Sequence, residues 1–148
     1  MISIEIDTDL TFSADLLERA ARDALDFSGC PDADLTLVLT GDTRIQTLNR
    51  DFLGKDAPTD VLSFPADEPD PETGRRYLGD VIVSLPRAAE QAGERGHAIE
   101  AEVQLLVVHG VLHLLGHDHV GAEEKNRMWA AQSEVLERLG LSPEIVHE

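Results

Sequence analysis

One cysteine, Cys30, stands in a chain of 148 residues. No internal disulfide can form, and there is no thiolate cluster to hold a metal; a reducing compartment suits such a chain. The opening residues, Met1-Ile-Ser-Ile-Glu-Ile-Asp7, lack the basic stretch and long apolar run of a signal peptide. The longest apolar stretch, Leu105 to Leu115, is interrupted by His109, Gly110 and His113 and is too short to span a bilayer. These absences predict a cytoplasmic protein with no membrane and no disulfide partner. Basic residues are also scarce: 12 Lys and Arg face 29 Asp and Glu, for a net charge of −17. That charge repels polyanions at long range and excludes nucleic-acid binding through a broad basic surface. A phosphate-bearing substrate would need a local site, a metal, or help from a partner.

What remains is enough for one domain over residues 1–148, since 42% of the side chains are hydrophobic. Ile2, Ile4 and Ile6 alternate with polar neighbours, as in a half-buried strand. Ser13 offers a cap to a helix carrying Leu16, Leu17, Ala20, Ala21, Ala24 and Leu25, and Gly29 stops it. A second strand covers 35–40. Asp42 is expected to cap a second helix with Ile45, Leu48 and Phe52, ended by Gly54. A third strand, 60–64, is closed by Pro65, and a fourth covers 77–84. Between them, 66–76 reads as a flexible acidic loop containing Asp67, Glu68, Asp70 and Glu72. Helices over about 86–95, 98–115 and 122–139 follow, and 141–148 forms a tail. The order β-α-β-α-β-β-α-α-α predicts an α/β (α+β) fold: a small mixed sheet of about four strands packed by helices, the first two parallel and the late hairpin antiparallel.

Four of the six histidines fall in His109-Gly-Val-Leu-His113-Leu-Leu-Gly116-His117-Asp118-His119. Residues four apart on a helix differ by about 40° of rotation and about 6 Å of rise, so His109 and His113 face one way. Gly116 lets the chain turn back, and His119 swings in as a third ligand. Three nitrogens with an open fourth position describe a catalytic zinc site, one ion per chain. A lone histidine among these apolar neighbours would read as a core residue; several buried imidazoles at ligand spacing require partners, and a metal supplies them. His117 competes with His119, which is preferred because it reproduces the H-E-x-x-H-x-x-G-x-x-H spacing of metalloproteases. The glutamate of that pattern, their general base, is replaced by Gly110. Asp118 is the nearest substitute, although a cap or a hydrogen bond to a histidine suits it better.

The run His109-Gly-Val-Leu-His-Leu-Leu-Gly-His-Asp-His119, the segment Pro58-Thr-Asp-Val-Leu-Ser-Phe-Pro65 and the strand Leu78-Gly-Asp-Val-Ile-Val-Ser84 together resemble the YbeY family of bacterial endoribonucleases, or rRNA maturation factors. The resemblance implies a mixed α/β fold and zinc on the three histidines. It also implies single-strand-specific cleavage of RNA, maturation of 16S rRNA at its 3′ end, a part in ribosome quality control, and the small ribosomal subunit and assembly factors as partners. Such proteins usually carry an arginine just before the glycine that ends the second helix; here that position is Leu53. Arg50, one helical turn earlier, and Lys55, just after the glycine, are the possible replacements; both also read as part of a solvated helix end, and for Lys55 the two readings weigh about equally. Thr59, Asp60 and Ser63 are candidates to line the cleft beside the metal, and Asp80 to orient a ligand or satisfy backbone. Two other functions fit the same residues: a zinc peptidase or amidase, and a non-catalytic ribosome-assembly factor whose metal stabilises the fold.

Overall fold

The computed structural model describes residues 2–8, 12–69, 71–72, 74–117 and 121–141. The elements are β1 (Ile2–Ile6), α1 (Ala14–Phe27), β2 (Asp34–Thr40), α2 (Asp42–Leu53), β3 (Val61–Pro69), β4 (Arg76–Ser84), α3 (Leu85–Arg95), α4 (Ile99–Leu114) and α5 (Ala122–Arg138). The order is the one the sequence predicts. The four strands form one sheet in the order β1-β2-β4-β3. β1 pairs with β2 in parallel, β2 with β4 in parallel, and β3 with β4 antiparallel. The fold is therefore α+β with a mixed sheet.

Alternation along the strands decides which helix covers which face. Leu35, Leu37 and Leu39 of β2, with Leu78, Val81 and Val83 of β4, join α1, α4 and α5 in the main core. Val38 and Ile82 point the opposite way and pack with Ile45 of α2 and Leu62 of β3. Fully burying one such aliphatic side chain contributes about 1.5–3 kcal/mol, so a one-residue register slip, which would invert every strand position, is strongly disfavoured. α4 lies in the middle of the main core, where its neighbours are α1, α3, α5 and the β3–β4 hairpin.

Three expectations are revised. The strand expected to close at Pro65 continues to Pro69, so residues 66–69 of the expected acidic loop belong to β3. Pro65 is tolerated because β3 is an edge strand, where a missing N–H costs no ladder bond on the open side. Pairing shifts between Pro65 and Glu68, which absorbs the irregularity before Pro69 pairs with Arg76. Second, Gly41 and not Asp42 occupies the cap position of α2. The Asp42 carboxylate instead accepts a hydrogen bond from Ser84 Oγ at 2.6 Å, tying the start of α2 to the end of β4. Third, Leu141, expected to open the tail, packs against the main core and donates its N–H to Leu136 O; the rest of that segment, 142–148, lies outside the described residues.

Candidate metal centre

From Glu102 to Leu114, α4 is buried at every position except His109 and His113. An open cleft of about 620 Å³ reaches the helix at those two residues and at Leu105 and Leu106. The cleft is walled on one side by β3 and the segment before it, through Thr59, Asp60 and Ser63, and also by Leu53 at the end of α2. The two imidazoles meet inside it, with His113 Nε2 at 3.1 Å from His109 Nε2 and ring centroids 4.6 Å apart.

Gln132 of α5, only 2% exposed, stands behind this pair. Its Oε1 lies 2.6 Å from His109 Nδ1. A carbamoyl oxygen accepts but does not donate, so His109 carries its proton on Nδ1 and presents the Nε2 lone pair to the cleft. A ring nitrogen with that lone pair, 3.1 Å from the matching nitrogen of a second histidine, suits a shared cation. The donor chemistry thus fits zinc on His109 and His113. His119 and Asp118 lie outside the described residues, and among the described residues no third His, Cys, Asp or Glu joins the pair. His117 is described, and it lines a separate hollow with Glu124 and Arg127 instead of the cleft.

The position that holds glutamate in the protease pattern has a steric explanation. A Cβ on Gly110 would sit 2.5 Å from Val81 Cγ1 and 3.3 Å from Ser63 Oγ. Gly110 therefore faces the sheet, and a longer side chain there would push α4 off the hairpin. Ser63 completes the docking by donating its hydroxyl to Gly110 O at 3.1 Å.

The other cleft residues are held by their own networks. Asp60 Oδ1 accepts from the Val61 N–H at 2.8 Å, and Oδ2 accepts from Gln91 Nε2 at 3.3 Å, so this carboxylate braces β3 against α3. Thr59 Oγ1 reaches the same Oδ1 at 3.4 Å. Asp80 does not line the cleft: its carboxylate accepts from the Tyr77 hydroxyl, which in turn lies 2.7 Å from Thr36 Oγ1. Burial first, and then this bond to Asp80, push the Tyr77 hydroxyl above its usual pKa. Of the two cations considered as replacements at position 53, Arg50 is exposed and pairs with Asp51 at 3.0 Å, and Lys55 is exposed beyond the end of α2. Neither is among the described residues lining the cleft, whereas Leu53 is.

Three residues were missed by sequence reasoning. Gln132 interrupts the apolar side of α5 between Met128 and Val135, and that misplaced polar residue is a legible signal. Glu102 is a carboxylate inside the buried helix α4 and is wholly inaccessible. Arg95, at the end of α3, lines the cleft although it belongs to the helix before the one that carries the histidines.

The family described as Endoribonuclease YbeY matches residues 3–140. A relative of that name from Pelotomaculum thermopropionicum is 49% identical over 131 residues, covering 86% of each chain. Another from Halalkalibacterium halodurans is 44% identical over 140 residues, covering 89% of this chain and 87% of its own. A solution structure of a Thermotoga maritima protein superposes with a TM-score of 0.62 at 28% identity, over 95% of this chain and 92% of that one.

Proposed function

Because the chain belongs to the Endoribonuclease YbeY family, we propose that it is a zinc-dependent, single-strand-specific endoribonuclease that matures the 3′ end of 16S rRNA and serves ribosome quality control in the cytoplasm. The observation that carries the chemical part is the convergence of the His109 and His113 Nε2 atoms, 3.1 Å apart, at the floor of an open cleft. His109, His113 and His119 would hold the ion. Bound there, zinc would supply Lewis acidity toward a phosphoryl oxygen and bring water toward ionisation at about pH 7.

This chain's own residues do the rest. Gln132 holds the proton of His109 on Nδ1 and so keeps the metal-facing nitrogen unprotonated. Ser63 fixes α4 to the hairpin, and Asp60 braces the cleft wall against α3, so the histidines face a rigid surface. The cleft is open on one side, as a chain polymer requires, since a strand must enter and leave. Gly110 disfavours the peptidase reading, because the helix position that would carry its base is filled by Val81.

The test is elemental analysis of untagged protein together with cleavage of a single-stranded RNA by wild type and His113→Ala. We expect one zinc per chain, RNA cleavage by the wild type, and loss of both in the variant. Saturated protein with well under one metal per chain would sink the metal assignment; equal cleavage by the variant would assign the activity to a contaminant. Incubation with immature small subunits, read at the 16S 3′ end, tests the substrate.

A further inference from the structure

On the ribonuclease reading, a chain of net charge −17 must hold a polyanion, and two histidines committed to a metal contribute no fixed charge of their own. Among the described residues lining the cleft there is one permanently cationic side chain, Arg95, and one carboxylate, Asp60. Both oxygens of Asp60 are engaged, by the Val61 N–H and by Gln91.

Arg95 is held in place at one end. Its Nη1 lies 3.4 Å from Oε1 of Glu102, a carboxylate with no solvent exposure. The same oxygen is met by His97 Nε2 at the shorter distance of 2.7 Å. Glu102 thus has a closer partner, and the looser contact orients the guanidinium without consuming it. The Arg95 side chain remains 35% exposed, and a guanidinium carries five N–H donors in a planar fork, the geometry that suits phosphate. Glu102 precedes His109 by seven residues, or about 10 Å of helix. The Arg95–Glu102 contact is therefore anchored about two helical turns along α4 from His109.

We propose that Arg95, oriented by the buried Glu102, is a phosphate subsite of the cleft that takes a backbone phosphate of single-stranded RNA next to the one being cleaved. The proposal rests on the ribonuclease reading. Among the described residues, Arg95, at the end of α3, then supplies the cleft's fixed positive charge toward the substrate.

Initial-rate cleavage by zinc-loaded wild type, Arg95→Ala and Arg95→Lys tests it, on a set of single-stranded oligoribonucleotides in which one linkage at a time is a neutral methylphosphonate. In the wild type, neutralising one linkage away from the scissile bond raises KM about tenfold, the loss of one charge-assisted contact. In Arg95→Ala, KM on unmodified RNA is already raised by that factor, and the same neutralisation changes it less than about twofold. Above about 0.1 M salt, the dependence of log KM on log salt becomes shallower by about 0.7 in Arg95→Ala and keeps its wild-type slope in Arg95→Lys. If Arg95→Ala melts early, Arg95→Gln, which keeps a donor toward Glu102, carries the same comparison. Cleavage by the wild type with KM, salt slope and neutral-linkage profile unchanged in these variants overturns the proposal alone. Failure of the wild type to cleave any RNA overturns the ribonuclease reading and this proposal with it.

Discussion

A neutral side chain sets the protonation of the nitrogen that His109 turns to the cleft. Gln132 Oε1, at 2.6 Å from His109 Nδ1, fixes the tautomer that a metal requires. Removing the acceptor while keeping the volume separates this role from packing. Gln132→Leu is therefore expected to stay folded and to bind zinc about 10–100-fold more weakly, whereas Gln132→Glu binds at least as tightly as wild type. Competition against a chromophoric chelator measures this, and wild-type affinity in the leucine variant would show that Gln132 is only a packing residue. The two residues that the sequence made most legible, His109 and His113, are those whose spacing alone brings them together. Gln132 lies 23 positions away on another helix, and its partner depends on how α5 crosses α4, which periodicity does not encode. Arg95 and Glu102 were hidden for the same reason: the i to i+7 relation between them spans a turn that joins two helices.

Two glycines show how one element is seated on another. Gly79 in β4 adopts φ +134°, and a Cβ there would meet Phe64 O at 2.1 Å, a backbone atom of the paired strand. Nothing flexible can give way, so Gly79→Ala is expected to cost more than about 4 kcal/mol or to prevent folding. Gly110 differs because its obstacle is a side chain, Val81 Cγ1 at 2.5 Å. Gly110→Ala gains about 1 kcal/mol of helix propensity and loses about 1–3 kcal/mol to overpacking, so a net destabilisation of about 1 kcal/mol is expected. Adding Val81→Ala removes the clash, and the double variant should lose less than the two single costs combined. Urea denaturation of the four proteins decides this, and strictly additive losses would mean that α4 is not seated on Val81. The helices, the strands, the parallel first pair and the late hairpin could be read from periodicity and alternation, because those signals are local; that β4 and not β3 lies beside β2 could not. Nor could the end of β3. Pro65 reads as a strand terminator unless the strand is known to lie at the edge, and edge position is a property of the assembled sheet.

At the scale of the molecule, the charge of −17 and an RNA substrate are reconciled by range. The Debye length is about 30 Å at 0.01 M salt and about 8 Å at 0.15 M. At low salt an approaching RNA senses most of the acidic surface; at 0.15 M it senses little beyond the cleft, which is lined by Arg95 and the two histidines and where Asp60 is internally engaged. Association should therefore speed up between these two concentrations, the reverse of the steep decline shown by proteins with basic binding faces. Once the overall field is screened, local phosphate contacts dominate, and above about 0.15 M the usual weakening with salt sets in. Stopped-flow measurement of RNA binding to zinc-loaded protein across that range is expected to give a maximum in the association rate near physiological ionic strength. A monotonic fall from the lowest salt would mean that RNA is drawn in by a basic face outside the cleft. The same argument fixes the direction for charge variants. Neutralising an exposed acid that does not line the cleft, such as Glu18, whose side chain is 50% exposed, should raise the low-salt association rate and change the rate at 0.15 M less, because salt screens its field first.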